Sequence, residues 1–509
     1  MSEIATEHCD RYHSLAQPSS RDLKQRSVTG VFATVSAQGL KFVIQTATTM
    51  ALARLLSPKD FGLQGMVLLI TNFFAYFQDA GLSMATIQRH EVTHEQTSTL
   101  FWINVAFGTM LAALCAASAP LLVTFYHEPC LYWIAVVSGA TFIFNGLGVQ
   151  HSALLRRSMQ FVTQAKIGLL SYLVGSVAAI VMALFGFHYW SLIGMAIVSS
   201  IVAVALLWFA VPWVPGPPRR RCGVLSMLRF GGLAACNSFV VFLGTNAEKI
   251  LLGHFWGADA LGLYGRAYQL VTVPIQQLND AVGGVAFPAL SRIQHNAERL
   301  AKSFLTAYSI LTSLTIPIAI TCALFAEEIV SIVLGPKWMA AAPIFRLLAP
   351  VAVVFTMGNP LSWLITSTGR IGRALAVRTA TAPLMILGIV LGMNHGPTGV
   401  ALGYSLAMTV VLIPVTTCFK QGTGITWVDL LVAAKPQFLS GLLAAAVGFL
   451  VKLTLCGKLP LIAYLFVGVG AVLGVYAWIL MIAMNQKHVY LDLLSRLLPQ
   501  LRPEGFTSR

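Results

Sequence analysis

Charge is what this chain has least of. Only 10% of its 509 residues are Asp, Glu, Lys or Arg while 57% are hydrophobic, against about 25% charged in a soluble globular domain. Water is therefore excluded as its main solvent. No GxxxxGK[ST] phosphate loop occurs, and no HExxH or GxSxG motif stands in a useful context, so a nucleotide-driven pump and the commonest hydrolase sites have no support. The eight cysteines are scattered, with neither a zinc spacing nor a disulfide framework, and the 11 histidines show no paired helical spacing. No metal centre is expected. Residues 1–27 carry Glu3, Glu7, Asp10 and Asp22 and no apolar core before a small-residue cleavage site, so no cleaved signal peptide is expected. The segments between apolar runs are too short to fold a catalytic domain, and the chain is not expected to be an enzyme.

What is there is apolar length. Runs of about 20 residues, enough to cross a bilayer as helix, follow one another from Val28 to Met484. The short alternating segments of a transmembrane β-barrel are missing. An all-α polytopic membrane protein follows, with about fourteen transmembrane helices at 30–53, 61–84, 99–123, 130–150, 165–186, 189–211, 226–252, 260–287, 302–323, 342–365, 374–393, 398–418, 433–453 and 460–484. Pro343, Pro350 and Pro360 leave the tenth span open to kinks or a break.

A net charge of +15 invites a nucleic-acid partner, but its distribution argues against one. Of the 33 Lys and Arg, 24 fall in the N-terminal tail, the even-numbered loops and the C-terminal tail or within five residues of them. This positive-inside pattern predicts both termini in the cytoplasm. The bacterial cytoplasmic (inner) membrane is the simplest address. Trp102, Trp133, Trp190, Trp256, Trp338 and Trp427 fall near span ends, where an interfacial aromatic belt is expected.

A ten-residue echo organises the chain. Leu56-Ser57-Pro58-Lys59-Asp60-Phe61-Gly62-Leu63-Gln64-Gly65 aligns without a gap on Trp256-Gly257-Ala258-Asp259-Ala260-Leu261-Gly262-Leu263-Tyr264-Gly265. At the same offset, Gln38, Lys41, Gln45 and Thr48 of the first span correspond to Ser238, Val241, Thr245 and Glu248 of the seventh. Asn72, Tyr76, Asp79 and Ser83 of the second correspond to Thr272, Gln276, Asn279 and Gly283 of the eighth. Steps of three and four place each set on one helical stripe, so these spans carry a wet face.

Two copies of six spans follow, related by a pseudo-two-fold along the membrane normal, as in parallel-repeat transporters. The expected layout is a cytoplasmic tail (1–27), an N-lobe (28–211) and a proline- and arginine-rich linker (212–225). After it come a C-lobe (226–418), an extra helix pair (419–485) and an amphipathic cytoplasmic tail (486–509).

A charge at a span centre costs about 2.5–3.5 kcal/mol, so ionisable residues at membrane depth are the functional candidates. Lys41, Lys249, Arg266 and Arg346 are the cations, suited to a phosphate-bearing or acidic substrate. Gln38, Gln45, Asn72, Thr245 and Gln276 supply polar cavity groups, and Asp79, Glu248 and Asp280 are candidates for ion coupling. Each has a structural alternative. Lys249 neutralises Glu248 or Asp280, Arg266 and Arg346 pair or snorkel, and the two aspartates cap helix ends. The repeated Gly62, Gly65, Gly262 and Gly265 serve turns and close packing. Lys41, near mid-span between Gln38 and Gln45, is the sharpest candidate for lining a water-filled path.

The run Leu52-Ala53-Arg54-Leu55-Leu56-Ser57-Pro58-Lys59-Asp60-Phe61-Gly62, followed by Asp79-Ala80-Gly81-Leu82-Ser83, resembles the N-terminal signature of Wzx-type polysaccharide flippases. Asn246-Ala247-Glu248-Lys249-Ile250-Leu251-Leu252-Gly253 with Ala260–Tyr264 resembles that family's second-half motif, and Leu334-Gly335-Pro336-Lys337-Trp338 its ninth-to-tenth-span loop. The family often has Asp where this chain has Glu248 followed by Lys249.

The resemblance implies the fold of the multidrug, oligosaccharidyl-lipid and polysaccharide exporter superfamily, with two six-helix lobes and a cavity of alternating access. It implies movement of undecaprenyl-diphosphate-linked oligosaccharides across the inner membrane for O-antigen, capsule or exopolysaccharide synthesis. No cofactor is implied beyond a proton or sodium gradient. Implied partners are the lipid-linked substrate, membrane lipids, and a polysaccharide polymerase with its chain-length machinery; a monomer is expected. Three rival readings stay open at this point: a lipid II flippase, a multidrug or metabolite cation antiporter of the same superfamily, and a non-transporting membrane scaffold.

Overall fold

The computed structural model describes residues 23–78, 93–218, 225–293, 296–367, 371–423, 425–455 and 457–484. Asp79, the linker arginines and the amphipathic tail lie outside them. Fourteen α-helices make up the described chain: α1 (Leu23–Leu55), α2 (Pro58–Gln78), α3 (His94–Tyr126), α4 (Leu131–Arg157), α5 (Phe161–Leu184), α6 (Trp190–Ala210), α7 (Leu225–Arg292), α8 (Ala297–Leu324), the short α9 (Ala326–Val333), α10 (Ala341–Ser367), α11 (Ile371–Gly392), α12 (Gly396–Thr423), α13 (Trp427–Leu455) and α14 (Leu461–Trp478). No strand occurs among the described residues. In a chain this apolar, helices satisfy their backbone groups internally, which lipid demands.

Nine helical stretches among the described residues are long and apolar enough to cross a membrane. They cover expected spans 3 to 6 and 9 to 14, with Thr379–Thr416 counted once for two of them. The expected spans outside this count, 1, 2, 7 and 8, fall on α1, α2 and α7, the elements that carry the polar stripes. Of the long helices, α1 and α7 are the least apolar.

Helix ends follow side-chain chemistry. At the start of α2, Asp60 Oδ2 accepts from the Ser57 backbone N–H at 2.9 Å and from its hydroxyl at 2.6 Å, while the Ser57 hydroxyl accepts from the Asp60 N–H at 3.3 Å. With Pro58 at the first helical position, this is a capping box that fixes the turn after α1. Thr93 and Gln96 form the same device ahead of α3. Thr426 and Asp429 do so ahead of α13, with Asp429 Oδ2 accepting at 2.8 and 2.7 Å. That cap starts the thirteenth helix at Trp427 rather than near residue 433, and leaves Pro436 inside it. Likewise α10 runs through Pro350 and Pro360 without a break.

By contact the chain forms two compact units. Their grouping differs from that of the sequence copies. The first takes in the described residues up to Arg266 with Val333–Ala340 and Arg378–Tyr404, and the second takes in the remainder. Within the first, α3 and α4 lie close because Gly146 leaves no side chain; a Cβ there would stand 2.8 Å from the Asn104 carbonyl oxygen. Their apolar faces meet around Leu111, Cys115, Ile134 and Phe142.

The extended segment after α6 is strapped to this same unit. Trp213 is buried and donates its indole N–H to His94 Nδ1 at 2.9 Å, and the Gly216 N–H donates to the Ser98 hydroxyl at 3.0 Å. The first half of the expected linker is thus docked rather than free.

Within the second unit, α8 is central. Phe304 and Tyr308 pack with Leu361 of α10 and Leu430 of α13. Gln437 donates to the Ser309 hydroxyl at 2.7 Å, and Lys452 donates to the Leu324 carbonyl at 2.7 Å. The extra helix pair is therefore built into the unit through α13, with Tyr464 and Tyr476 of α14 packing beside Phe325.

Candidate functional site

The site begins with the polar stripe of α1. Gln38 and Lys41 are exposed, Gln45 is half-buried, and Thr48 is buried with its hydroxyl turned back to the Ile44 carbonyl at 2.8 Å. Because α1 packs along α5, the Lys41 ammonium lies 5.5 Å from the centre of the Tyr172 ring, within cation–π range. Among the described residues no carboxylate stands within ion-pair distance of Lys41. Sequence reasoning missed Tyr172, since a single tyrosine in an otherwise apolar span carries no periodic signal.

The duplicated loops meet each other. A Cβ on Gly62 would overlap the Ala258 carbonyl oxygen, and a Cβ on Gly262 would overlap that of Pro58. Positions 58 and 258, like 62 and 262, are equivalent in the repeat, so one contact is made twice. Of the four repeated glycines only these two are needed for close approach. A Cβ on Gly65 would meet Leu261 at an ordinary 3.5 Å, and one on Gly265 would meet nothing.

The two copies break their helices differently. Ser57 and Asp60 cap α2, whereas Gly257 interrupts α7 with φ 77° and ψ −172°, a conformation open essentially to glycine alone.

Arg266 and Phe61 sit at this junction. The guanidinium lies 4.0 Å from the Phe61 ring centre, and that ring meets Trp338 edge-on at 5.3 Å. Trp338 donates its indole N–H to the Ala53 carbonyl at 2.8 Å and is fully buried. The expectation of a belt position for Trp338 is thereby corrected. Its loop folds onto the turn between α1 and α2 because the indole N–H finds a carbonyl left unpaired near the α1 terminus.

The remaining cations are engaged. Lys249 stands 3.2 Å from Glu248 Oε1 and donates to Asn246 Oδ1 at 3.2 Å. The Glu248 carboxylate is fully buried, and a buried charge needs such a counter-charge. In the second unit, Arg346 forms a 2.8 Å ion pair with Glu327 and donates its Nε to the Ala323 carbonyl at 3.2 Å. Lys41, Lys249 and Arg266 share the first unit, and Arg346 belongs to the second.

Asn72, Gln276 and Asp280 are exposed. Thr272 and Asn279, their stripe neighbours on α7, are buried and bond back to the carbonyls of Tyr268 and Ile275 at 2.8 Å. The Thr245 side chain, like Asp79, lies outside the described residues. No group of three or more His, Cys, Asp or Glu suited to a metal occurs among the described residues.

A family model described as polysaccharide biosynthesis protein matches residues 51–343. The chain is 28% identical to the lipopolysaccharide biosynthesis protein WzxC of Escherichia coli (strain K12), over 76% of this chain and 80% of that one. It is 30% identical to the succinoglycan biosynthesis transport protein ExoT of Rhizobium meliloti (strain 1021), over 64% and 63%. Among solved structures, the lipid II flippase MurJ in an inward closed conformation is similar with a TM-score of 0.72, 13% identity, and coverage of 89% of this chain and 99% of that one. An inward-facing multidrug resistance transporter of the MATE family, MOP superfamily, gives 0.59, 15% identity, and coverage of 80% and 99%. These structural likenesses are those of a shared fold.

Proposed function

The chain belongs to the polysaccharide biosynthesis protein family, and on that premise we propose that it moves undecaprenyl-diphosphate-linked oligosaccharides from the cytoplasmic to the outer leaflet of a bacterial inner membrane. The product feeds O-antigen, capsule or exopolysaccharide synthesis. A diphosphate and its sugars cannot enter hydrocarbon unless their hydration is replaced. The observation that carries the reading is Lys41, a cation exposed on the polar face of α1 with no carboxylate at ion-pair distance among the described residues.

In this reading Lys41 meets the diphosphate first, beside Tyr172, while Gln38, Gln45 and Asn72 of the same unit meet hydroxyls. Arg266, stacked on Phe61, adds positive potential in the same unit, whereas the charge of Lys249 is offset by Glu248. Access alternates by rocking about the duplicated glycine contact and the proline linker, with both termini cytoplasmic. No bond of the substrate is made or broken, so the chain acts as a transporter and not an enzyme. A proton or sodium gradient acting on Glu248 or Asp280 supplies direction. The chain works as a monomer and hands its product to a polymerase with its chain-length machinery.

Proteoliposomes containing defined prenyl-diphosphate sugars test this. Lys41→Ala is expected to slow leaflet exchange about tenfold, equivalent to about 1.4 kcal/mol, with Lys41→Arg retaining most of the rate. Wild-type exchange by a normally inserted Lys41→Ala protein overturns the site. Exchange of lipid II alone among the substrates overturns the substrate class.

A further inference from the structure

A second site lies in the first unit, and none of its described lining residues belongs to the polar stripes. α2, the end of α3 and the first arm of α7 line an open cavity of about 680 Å3, within the range of small-molecule sites. Its walls are apolar: Leu69 and Phe73 from α2, Leu121 and Phe125 from α3, Phe242 and Ile250 from α7. Polar groups gather at one end, where His127 closes α3 and His254 stands three residues before the Gly257 break. The sequence suggests a loop position for His254, but α7 continues through it. Its Nδ1–H donates to the Phe125 carbonyl at 2.7 Å, its ring stacks on Phe125 at 4.3 Å, and the His127 ring lies 6.3 Å away.

The dimensions identify the occupant. From Phe242 to His254 the α7 wall is about 18 Å long at 1.5 Å per residue, close to the roughly 15 Å depth of one leaflet's hydrocarbon. The imidazoles stand at the C-terminal end of α3 and just before the Gly257 break of α7, and the apolar wall runs from them back along both helices. Leu121 is 70% exposed and Phe125 41%, so the slot opens sideways onto an apolar surface. Thr124, the hydroxyl residue of the α3 wall, turns its Oγ1 back to the Leu121 carbonyl at 3.0 Å and offers nothing to a polar guest.

We propose that this slot holds one acyl chain of a glycerophospholipid, with its phosphate beside His127 and His254. A wall of one leaflet's depth suits an acyl chain, which runs from headgroup to mid-membrane, whereas a 55-carbon prenyl chain is much longer and runs well past its end. A lipid seated here bridges α2, α3 and α7 just below the duplicated glycine contact, and is a structural ligand distinct from the transported one.

The test uses the full chain in nanodiscs containing a phosphatidylglycerol with a photoactivatable group near its acyl terminus. Cross-links are expected on 69–73, 121–125 and 242–250. Leu121→Trp and, separately, Ile250→Trp fill the slot and are expected to reduce them about tenfold, while cross-links at the exposed Leu391 of α11 are unchanged. Replacing both histidines with Ala is expected to weaken labelling by the phospholipid but not by the corresponding diacylglycerol.

Labelling of the slot that both Trp variants leave intact overturns the proposal. Displacement of the label by undecaprenyl phosphate overturns it in favour of a prenyl chain. One of the two Trp proteins still binding normally, against the other, shows a folding defect rather than filling, and the retained binding also counts against the proposal.

Discussion

The two copies of the duplicated segment agree in packing and differ in chemistry. Gly62 and Gly262 make the same close approach to Ala258 and Pro58, because a repeat related to itself in space must satisfy one contact from both sides. The charges follow no such rule. Lys41 has Val241 as its counterpart, and the Glu248–Lys249 pair has Thr48-Thr49. The helix breaks differ too: side-chain capping by Ser57 and Asp60 in one copy, backbone conformation at Gly257 in the other. Duplication kept what the backbone shares and released what single side chains do.

The largest expected effect breaks the asymmetric pair. Lys249→Met leaves the Glu248 carboxylate buried without its counter-charge and is expected to cost about 3 kcal/mol. Unfolding in detergent measures this, and adding Glu248→Gln recovers most of the loss. A smaller loss, about 2 kcal/mol each, is expected for Gly62→Ala and Gly262→Ala, whose new methyl groups meet backbone carbonyls. Equal losses at both sites confirm the repeated contact, and Gly65→Ala and Gly265→Ala stay within about 0.5 kcal/mol as controls.

The two breaks separate next. Gly257→Ala is expected to cost about 1–3 kcal/mol through backbone strain alone, since nothing lies within 4 Å of the new Cβ. Ser57→Ala is expected to cost about 1 kcal/mol through the lost cap.

The smallest effect concerns the 2.9 Å pair between Lys59, at the start of α2, and Glu128 after α3. Hydrogen bonding and charge from Glu128 hold the Lys59 ammonium above its ordinary pKa of 10.5. A raised folded-state pKa contributes stability that is complete below the ordinary value and is lost as pH rises through the raised one. Because Lys59 is half exposed, Lys59→Met is expected to cost less than about 1 kcal/mol at neutral pH. The difference from wild type should vanish in strong alkali, as pH-dependent melting would register.

Much of the fold was legible because lipid enforces it. Apolar runs and positive loops gave the span order, and the helix ends moved by a few residues where local caps decided, as at Thr426. The polar stripe of α1 was legible because its period is helical. The ring that faces Lys41 was not, because Tyr172 meets α1 only through the packing of α5 upon it. Trp338 was misplaced for a related reason: its position near a span end suits a belt residue, and only the Ala53 carbonyl draws it inside.

By itself the sequence determined that this is a helical membrane protein, that it is duplicated, and which spans carry polar stripes. These depend on composition and on periods along one chain, which survive without tertiary structure. Tertiary structure alone decided which repeated glycines touch, which of the described cations pair with a carboxylate and which face a ring, and that α2, α3 and α7 leave an apolar slot between them. Those facts depend on distances between residues remote in sequence, where a single carbonyl or carboxylate changes what a side chain is able to do.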